Sequence, residues 1–394
     1  MPKHLPGWLA RAAIIVPAAG LAFAFVPMAA QAATVTVPCT GDNATDTAAL
    51  TGAMGSYSSG DTISLGAGCT FSYASDPGWA EIENTLTVDA NGDTITASAS
   101  GFRFLSVGDS GNLTVNDVTI SDADEDSDGA AIFSTGVLTV NDSTFTTDDA
   151  SGDGGAIASE GSGTLVVTGS TFSGNSSGRD GGAIHNDDLG TIINSTFDAN
   201  SSPEGSAFYE NGGTGVIVNS TFAGNTGSAA IDNGGGTTTV TNTIIAENPG
   251  GNCTGTVADG GYNDEEGTSC AFSNHPQDGD PILGALANNG GPTETMAISA
   301  SSLAYHNAST AVCAAAAPAG AGGVDQRGDP RGTTACDIGA FEVQAATSVP
   351  VPESGGVVPG TPSTLGSGLL LAGGGGVLLL VVLVAAARRR RFAA

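Results

Sequence analysis

His185-Asn186-Asp187-Asp188 puts a histidine beside two carboxylates, and Arg179-Asp180 stands just before it. These residue types move protons. One carboxyl acting as acid and another as base is the set that breaks a glycosidic bond. An arginine base beside calcium-binding acids would instead suit β-elimination from an acidic polysaccharide. Neither a Gly-His-Gly nor an Arg-x-Lys string accompanies the four residues. With 40 acidic residues in the chain, paired carboxylates also arise simply as solvated turns. No catalytic set is therefore assigned; Arg179, His185, Asp187 and Asp188 are its candidates, and no cofactor is required.

A second constellation is Asp124-x-Asp126-x-Asp128-Gly129. It copies the first half of a calcium loop, with oxygens at alternate positions and glycine at the sharp turn. The twelfth position, where a bidentate glutamate belongs, is Thr135. The expectation is a calcium ion held by Asp124, Asp126 and Asp128, competing with a plain polar turn.

Both constellations lie in a repeat, so the element that positions them is the repeat itself. Asn141-Asp142-Ser143-Thr144-Phe145 is followed by Gly169-Ser170-Thr171-Phe172, Asn194-Ser195-Thr196-Phe197 and Asn219-Ser220-Thr221-Phe222, with phenylalanines 27, 25 and 25 residues apart. Gly129-Ala130-Ala131-Ile132, Gly154-Gly155-Ala156-Ile157, Gly181-Gly182-Ala183-Ile184 and Gly205-Ser206-Ala207-Phe208 recur in the same phase. Asn175, Asn200, Asn225 and Asn248 follow the aromatic or its isoleucine replacement at a fixed offset.

Each repeat holds two or three short β-type runs separated by Gly, Asn, Asp and Ser, and none is long enough for an amphipathic helix. Three strands and three turns in about 25 residues make one coil of a parallel β-helix, with coils about 4.8 Å apart. A propeller or sandwich needs longer units and hairpin turns. Phe145, Phe172, Phe197 and Phe222 would then form an inward ladder. Asn175, Asn200, Asn225 and Asn248 would stack at a turn and hydrogen-bond along the pile.

The ends suggest export. Residues 1–32 have a basic start, an apolar run and Ala30-Gln31-Ala32, the layout of a signal peptide. Residues 365–387 carry no charge, reach about 34 Å as a helix and precede the basic tail 388–394. Residues 346–364 read as a Pro/Gly/Ser/Thr stalk. Between the ends, residues 33–59 would be an N-terminal cap, with a helix around Asp46 to Met54. Residues 60–250 would be the β-helix, and 251–345 a disulfide-bearing cap closing the other end.

The full chain has a net charge of −30, and only Arg103, Arg179, Arg327 and Arg331 would remain in the exported body against 40 acids. Such a surface repels nucleic acid. Six cysteines in an exported chain argue for disulfides, and 15 connectivities are open. Local pairing, Cys39 with Cys69, Cys253 with Cys270 and Cys313 with Cys336, is the choice that respects the domain boundaries.

The Gly-Gly-Ala-Ile and Phe-x-x-Asn markers resemble the repeats of polymorphic outer membrane proteins and related bacterial surface β-helices. Asn252-Cys253-Thr254-Gly255, Asp280-Pro281-Ile282-Leu283-Gly284, Leu286-Ala287-Asn288-Asn289-Gly290-Gly291-Pro292-Thr293, Val324-Asp325-Gln326-Arg327-Gly328-Asp329-Pro330-Arg331 and Cys336-Asp337-Ile338-Gly339-Ala340-Phe341-Glu342 resemble the terminal domain called choice-of-anchor Q. It departs at Ser302-Leu303-Ala304-Tyr305-His306-Asn307-Ala308, where the family has Ser-Pro-Ala-Ile-Asp-x-Gly. The tail is similar to Gram-positive cell-wall sorting signals, although Thr361-Pro362-Ser363-Thr364-Leu365-Gly366 departs from the sortase motif.

These resemblances imply an all-β, right-handed parallel β-helix, a solenoid like that of pectate lyases, displayed at a cell surface. The expected protein is exported, anchored in the membrane (or cell wall) through its C-terminus, and monomeric. Its expected role is that of an adhesin or scaffold binding a surface glycan or cell-surface protein without catalysis. A polysaccharide lyase or glycoside hydrolase and a structural envelope component are the alternatives.

Overall fold

The computed structural model describes residues 32–273 and 279–344. The stalk, the apolar segment 365–387, the basic tail and all but the last residue of the expected signal peptide lie outside the described residues. Among the described residues no helix is long and apolar enough to cross a membrane.

The chain winds into a parallel β-solenoid of about nine turns with about 25 residues per turn. Each turn contributes strands to three faces, and the middle turns add a two-residue strand to a fourth, narrow sheet running from Asp124–Glu125 to Thr226–Gly227. Alternation within the strands decides what is buried. In Val137–Asn141, Leu138 and Val140 are buried while Val137 is exposed. Parallel register then stacks like on like: Leu86, Leu113, Leu138 and Leu165 form one column of the first face. The second face runs through Thr144–Thr146, Thr171–Ser173, Thr196–Asp198 and Thr221–Ala223. The third runs through Ile132–Ser134, Ile157–Ser159, Ile184–Asn186 and Phe208–Glu210.

Phe145, Phe172, Phe197 and Phe222 are fully buried in the second face, with ring centroids 4.9, 4.8 and 4.4 Å apart and planes within 5° of parallel. The coil spacing imposes this stack. Edge-to-face pairing, otherwise favourable for aromatics, would break the register.

Corners need left-handed backbone, and the sequence supplies it in columns. Between the first and second faces, Asp117, Asp142, Gly169, Asn194, Asn219 and Asn242 all have φ between 47° and 64°. Asn and Asp tolerate this region because their side chains bond locally. Ahead of the third face the column is Gly129, Gly154, Gly181 and Gly205. A Cβ at Gly181 would overlap the Ile184 carbonyl, so glycine is required there for space as well as for φ.

Helix Asn43–Met54 closes the N-terminal end. Asp42 caps it by accepting from the Thr45 amide at 2.9 Å, and Leu50, Ala53 and Met54 enter the core. The solenoid starts earlier than residue 60, however, because Thr34–Val37 already pairs with Asp61–Leu65. Cys39–Cys69, Cys253–Cys270 and Cys313–Cys336 are the three disulfides.

At the other end the structure differs from the expected boundary at 251. Cys253–Gly261 pairs with Ile231–Thr241, and Asp264–Glu265 with Ile244–Ala246, so coiling continues past residue 260. Nor does 279–344 close the end. It lies along the side of the solenoid, on the second face and its corner. Gln326 accepts from the Thr196 hydroxyl at 2.6 Å and donates to that of Thr171 at 2.9 Å. Arg331, buried, donates to Asn194 Oδ1 at 2.9 Å and pairs with Glu342 at 3.4 Å. The physical reason is visible in the coils: Ile244 and Ala246, on the outer surface of the second face, are apolar and need a cover, which Ile298, Ala304 and Ile338 provide.

Candidate functional site

The third face carries the titratable cluster. Its outward positions in successive coils are Phe133, Ala158, His185, Tyr209 and Asp232, in direct register. The turn column before the glycines supplies Asp128, Asp153, Asp180 and Glu204, and the positions after the strands supply Glu160 and Asp187. Together they make a strip along the third face, the trench, in which a nearly buried row with His185 and Tyr209 runs beside more exposed acids such as Asp128 and Asp153.

His185 is 4 % exposed in its side chain and stacks on Tyr209 at 5.4 Å. Its Nε2 lies 2.9 Å from Asp187 Oδ1, and its Nδ1 is buried without a hydrogen-bond partner. Donor atoms of Asp153, Asp180 and His185 all lie within 4.8 Å of one another, and so do those of Asp128, Asp153 and Glu160. Asp187 also accepts from Asn211 Nδ2 at 3.0 Å.

Burial, reinforced by the neighbouring Asp128, Asp187 and Asp153, raises the Glu160 carboxyl above its usual range, with His185 opposing. Burial followed by Asp153 and Glu204 does the same to Asp180. Asp232 is raised by burial, then by Glu204 and Asp180. Two arginines temper the field. Arg179, 64 % exposed in its side chain, reaches Asp128 and Asp153 at 3.7 Å each. Arg103 bonds the Gly129 carbonyl at 2.8 Å and lies 4.8 Å over the Phe133 ring.

The structure therefore brings Arg179, His185 and Asp187 into one trench. Asp188 is exposed beyond it, its carbonyl accepting from the Thr214 amide at 2.6 Å. The three acids of the half calcium loop separate. Asp124 pairs in register with Asp149, Asp126 is exposed, and Asp128 faces the trench, accepting from the Asp153 amide at 2.8 Å. Asp128 belongs to a cluster with Asp153 and Glu160, which Asp124 and Asp126 do not enter.

Sequence reasoning pointed to Asp180 only as the neighbour of Arg179, and it missed Asp153, Glu160, Tyr209 and Asp232. The signal available was phase: Asp128, Asp153, Asp180 and Glu204 all immediately precede the marker glycine. It also missed a polar column inside the third face. Glu210, 0 % exposed, accepts from Asn186 Nδ2 at 2.9 Å and from the Gly213 amide at 2.9 Å. Burial pushes its carboxyl up to about 7. Gly190 and Gly215 replace the inward leucines of earlier coils and leave it room; a Cβ on Gly215 would stand 3.1 Å from Glu210 Oε2.

A separate cleft of about 290 Å³ lies between Thr119, Thr144 and Thr171 of the second face and Gly291 to Glu294. Lined largely by hydroxyls and the docked segment, it is a seam away from the trench chemistry.

With this geometry in view, the protein is a parallel β-helix protein. The family model described as a right handed beta helix region matches residues 103–274, which contain the whole trench. No curated protein and no solved structure matches the chain.

Proposed function

We propose that the chain is an exported, surface-held binding scaffold whose third-face trench takes a glycan of a neighbouring cell or surface. The trench is the observation that carries this reading. Carboxylates repeated on consecutive coils, Asp128, Asp153, Asp180 and Glu204, present acceptors to sugar hydroxyls about every 4.8 Å. The abundance of acids disfavours polyuronates and favours neutral or amino sugars. Export and anchoring rest on residues 1–32 and 365–394 of the sequence.

A second reading, glycoside hydrolysis, is favoured by one observation: Asp128, Asp153 and Glu160 converge, and Glu160 is raised as an acid would need to be. A panel of neutral, amino and acidic polysaccharides separates the readings. Binding without product, weakened by Asp128→Asn, is the expected result. Released oligosaccharides would establish the hydrolase instead. Absence of binding throughout would leave a structural envelope role as the better account.

A further inference from the structure

We propose that Asp153, Asp180 and His185 form a site for a divalent first-row transition metal, for which Zn²⁺ is the probe. The site goes beyond glycan binding and differs from the calcium loop that the sequence suggests.

The histidine is the argument. Its Nε2 faces the Asp187 carboxylate at 2.9 Å, so the neutral ring carries its proton there and donates it. The same bond fixes the tautomer and leaves a lone pair on Nδ1. That nitrogen is buried and has no partner. A buried acceptor left unsatisfied costs about 1–3 kcal/mol. Beside the ring stand two carboxylates, with donor atoms of Asp153, Asp180 and the imidazole mutually within 4.8 Å. A carboxylate orienting a histidine whose other nitrogen meets a metal is a recurring second-shell arrangement.

Neighbouring coils hold the group in place. Asp153 and Asp180 sit at the same phase of successive turns, and the Asp180 amide donates to Asp153 Oδ1 at 3.3 Å. The Tyr209 ring stacks on one side of the imidazole, and the equivalent position on the other side is Ala158. Bonds of about 2.0–2.2 Å require donors closer than 4.8 Å, and rotation of the two aspartate side chains brings them in.

An imidazole with two carboxylates selects zinc-class ions over calcium, which prefers six to eight oxygens. Arg179 contacts Asp153 only at 3.7 Å and is mostly exposed, so it yields readily to an ion.

The test is calorimetric titration of Zn²⁺ into the EDTA-treated full chain at 0.15 M NaCl, with Co²⁺ absorption as a second readout. One ion per chain is expected. Asp187→Asn, which replaces the orienting carboxylate by an amide, should weaken binding about tenfold, and His185→Gln at least as much. Asp188→Asn should leave it unchanged, and unfolding of each metal-free variant should match wild type. Ca²⁺ at equal concentration should not displace Zn²⁺. Undetectable zinc binding, binding unaltered by His185→Gln, or displacement by equimolar Ca²⁺ would each overturn the site.

Discussion

The asparagine ladder shows how one residue type is dictated at a buried turn. Asn200 uses every hydrogen-bonding group it has. Its Nδ2 donates to the Phe172 carbonyl and to Asn225 Oδ1, both at 3.0 Å. Its Oδ1 accepts from the Asn175 amide and Nδ2 at 3.0 and 2.9 Å. Replacing it by leucine strands at least two buried groups. Asn200→Leu should therefore destabilise by about 2–4 kcal/mol in urea unfolding, and a loss under 1 kcal/mol would contradict the ladder's role. Two coils before Asn200, next to Asn175, the ladder position is Asp148, fully buried, with one oxygen unpartnered. Burial holds its carboxyl well above the usual value. The native state thus keeps a proton that the unfolded chain releases near pH 4, so stability falls as pH rises above that point. Asp148→Asn extends the ladder. It should gain about 1–3 kcal/mol at pH 7 and little at pH 3, measured as the difference between two denaturant curves. A gain of equal size at both pH values would rule out titration as its cause. Glu210 acts in the same sense between about 4.5 and 7, and Glu210→Gln should stabilise the chain at pH 8 but not at pH 4.

At the scale of the element, each strand is too short to stand alone, and stacking supplies its stability. Phe197 lies between two parallel rings, so Phe197→Ala removes both contacts and leaves a cavity within a rigid column. A loss of about 3–5 kcal/mol is expected in thermal and urea unfolding; a loss near 1 kcal/mol would mean that the column collapses around the gap. This scale also explains what could be read in advance. The solenoid was legible because its inward positions repeat one residue type at one period, as Phe172, Phe197 and Phe222 do. The trench was not, because outward positions need only be compatible with strands. Phe133, Ala158, His185, Tyr209 and Asp232 occupy one column, yet no two share a residue type. Composition hides such a site; phase locates it. The inward Glu210 was hidden for another reason. Its glycine partners Gly190 and Gly215 read as strand irregularities until register places them opposite a carboxylate and an amide.

For the whole molecule, the segment 279–344 converts an open stack into one with a protected flank. Beneath the cover the outer surface of the second face is apolar at Ile244 and Ala246 and hydroxylic at Thr171, Thr196 and Thr221, each of which is buried and hydrogen-bonded to the segment. Arg331 is the anchor of that cover. Besides Asn194 and Glu342 it donates to the Gly339 carbonyl at 2.7 Å, the Val324 carbonyl at 3.0 Å and the Asp337 carbonyl at 3.1 Å. Arg331→Met removes the cation but leaves Glu342 buried, with no other cation among the described residues within salt-bridge distance, and opens the carbonyls it satisfied. Breaking a buried pair from one side costs about 3–5 kcal/mol, more than a docked loop segment withstands locally. The variant should therefore release the segment while the coils stay folded. Limited proteolysis should cut first between residues 279 and 344, and a hydrophobic dye should bind the uncovered Ile244 surface. If the variant instead unfolds in a single step with the segment still protected, the flank and the coils are one cooperative unit, and the cover contributes to the stability of every turn it touches.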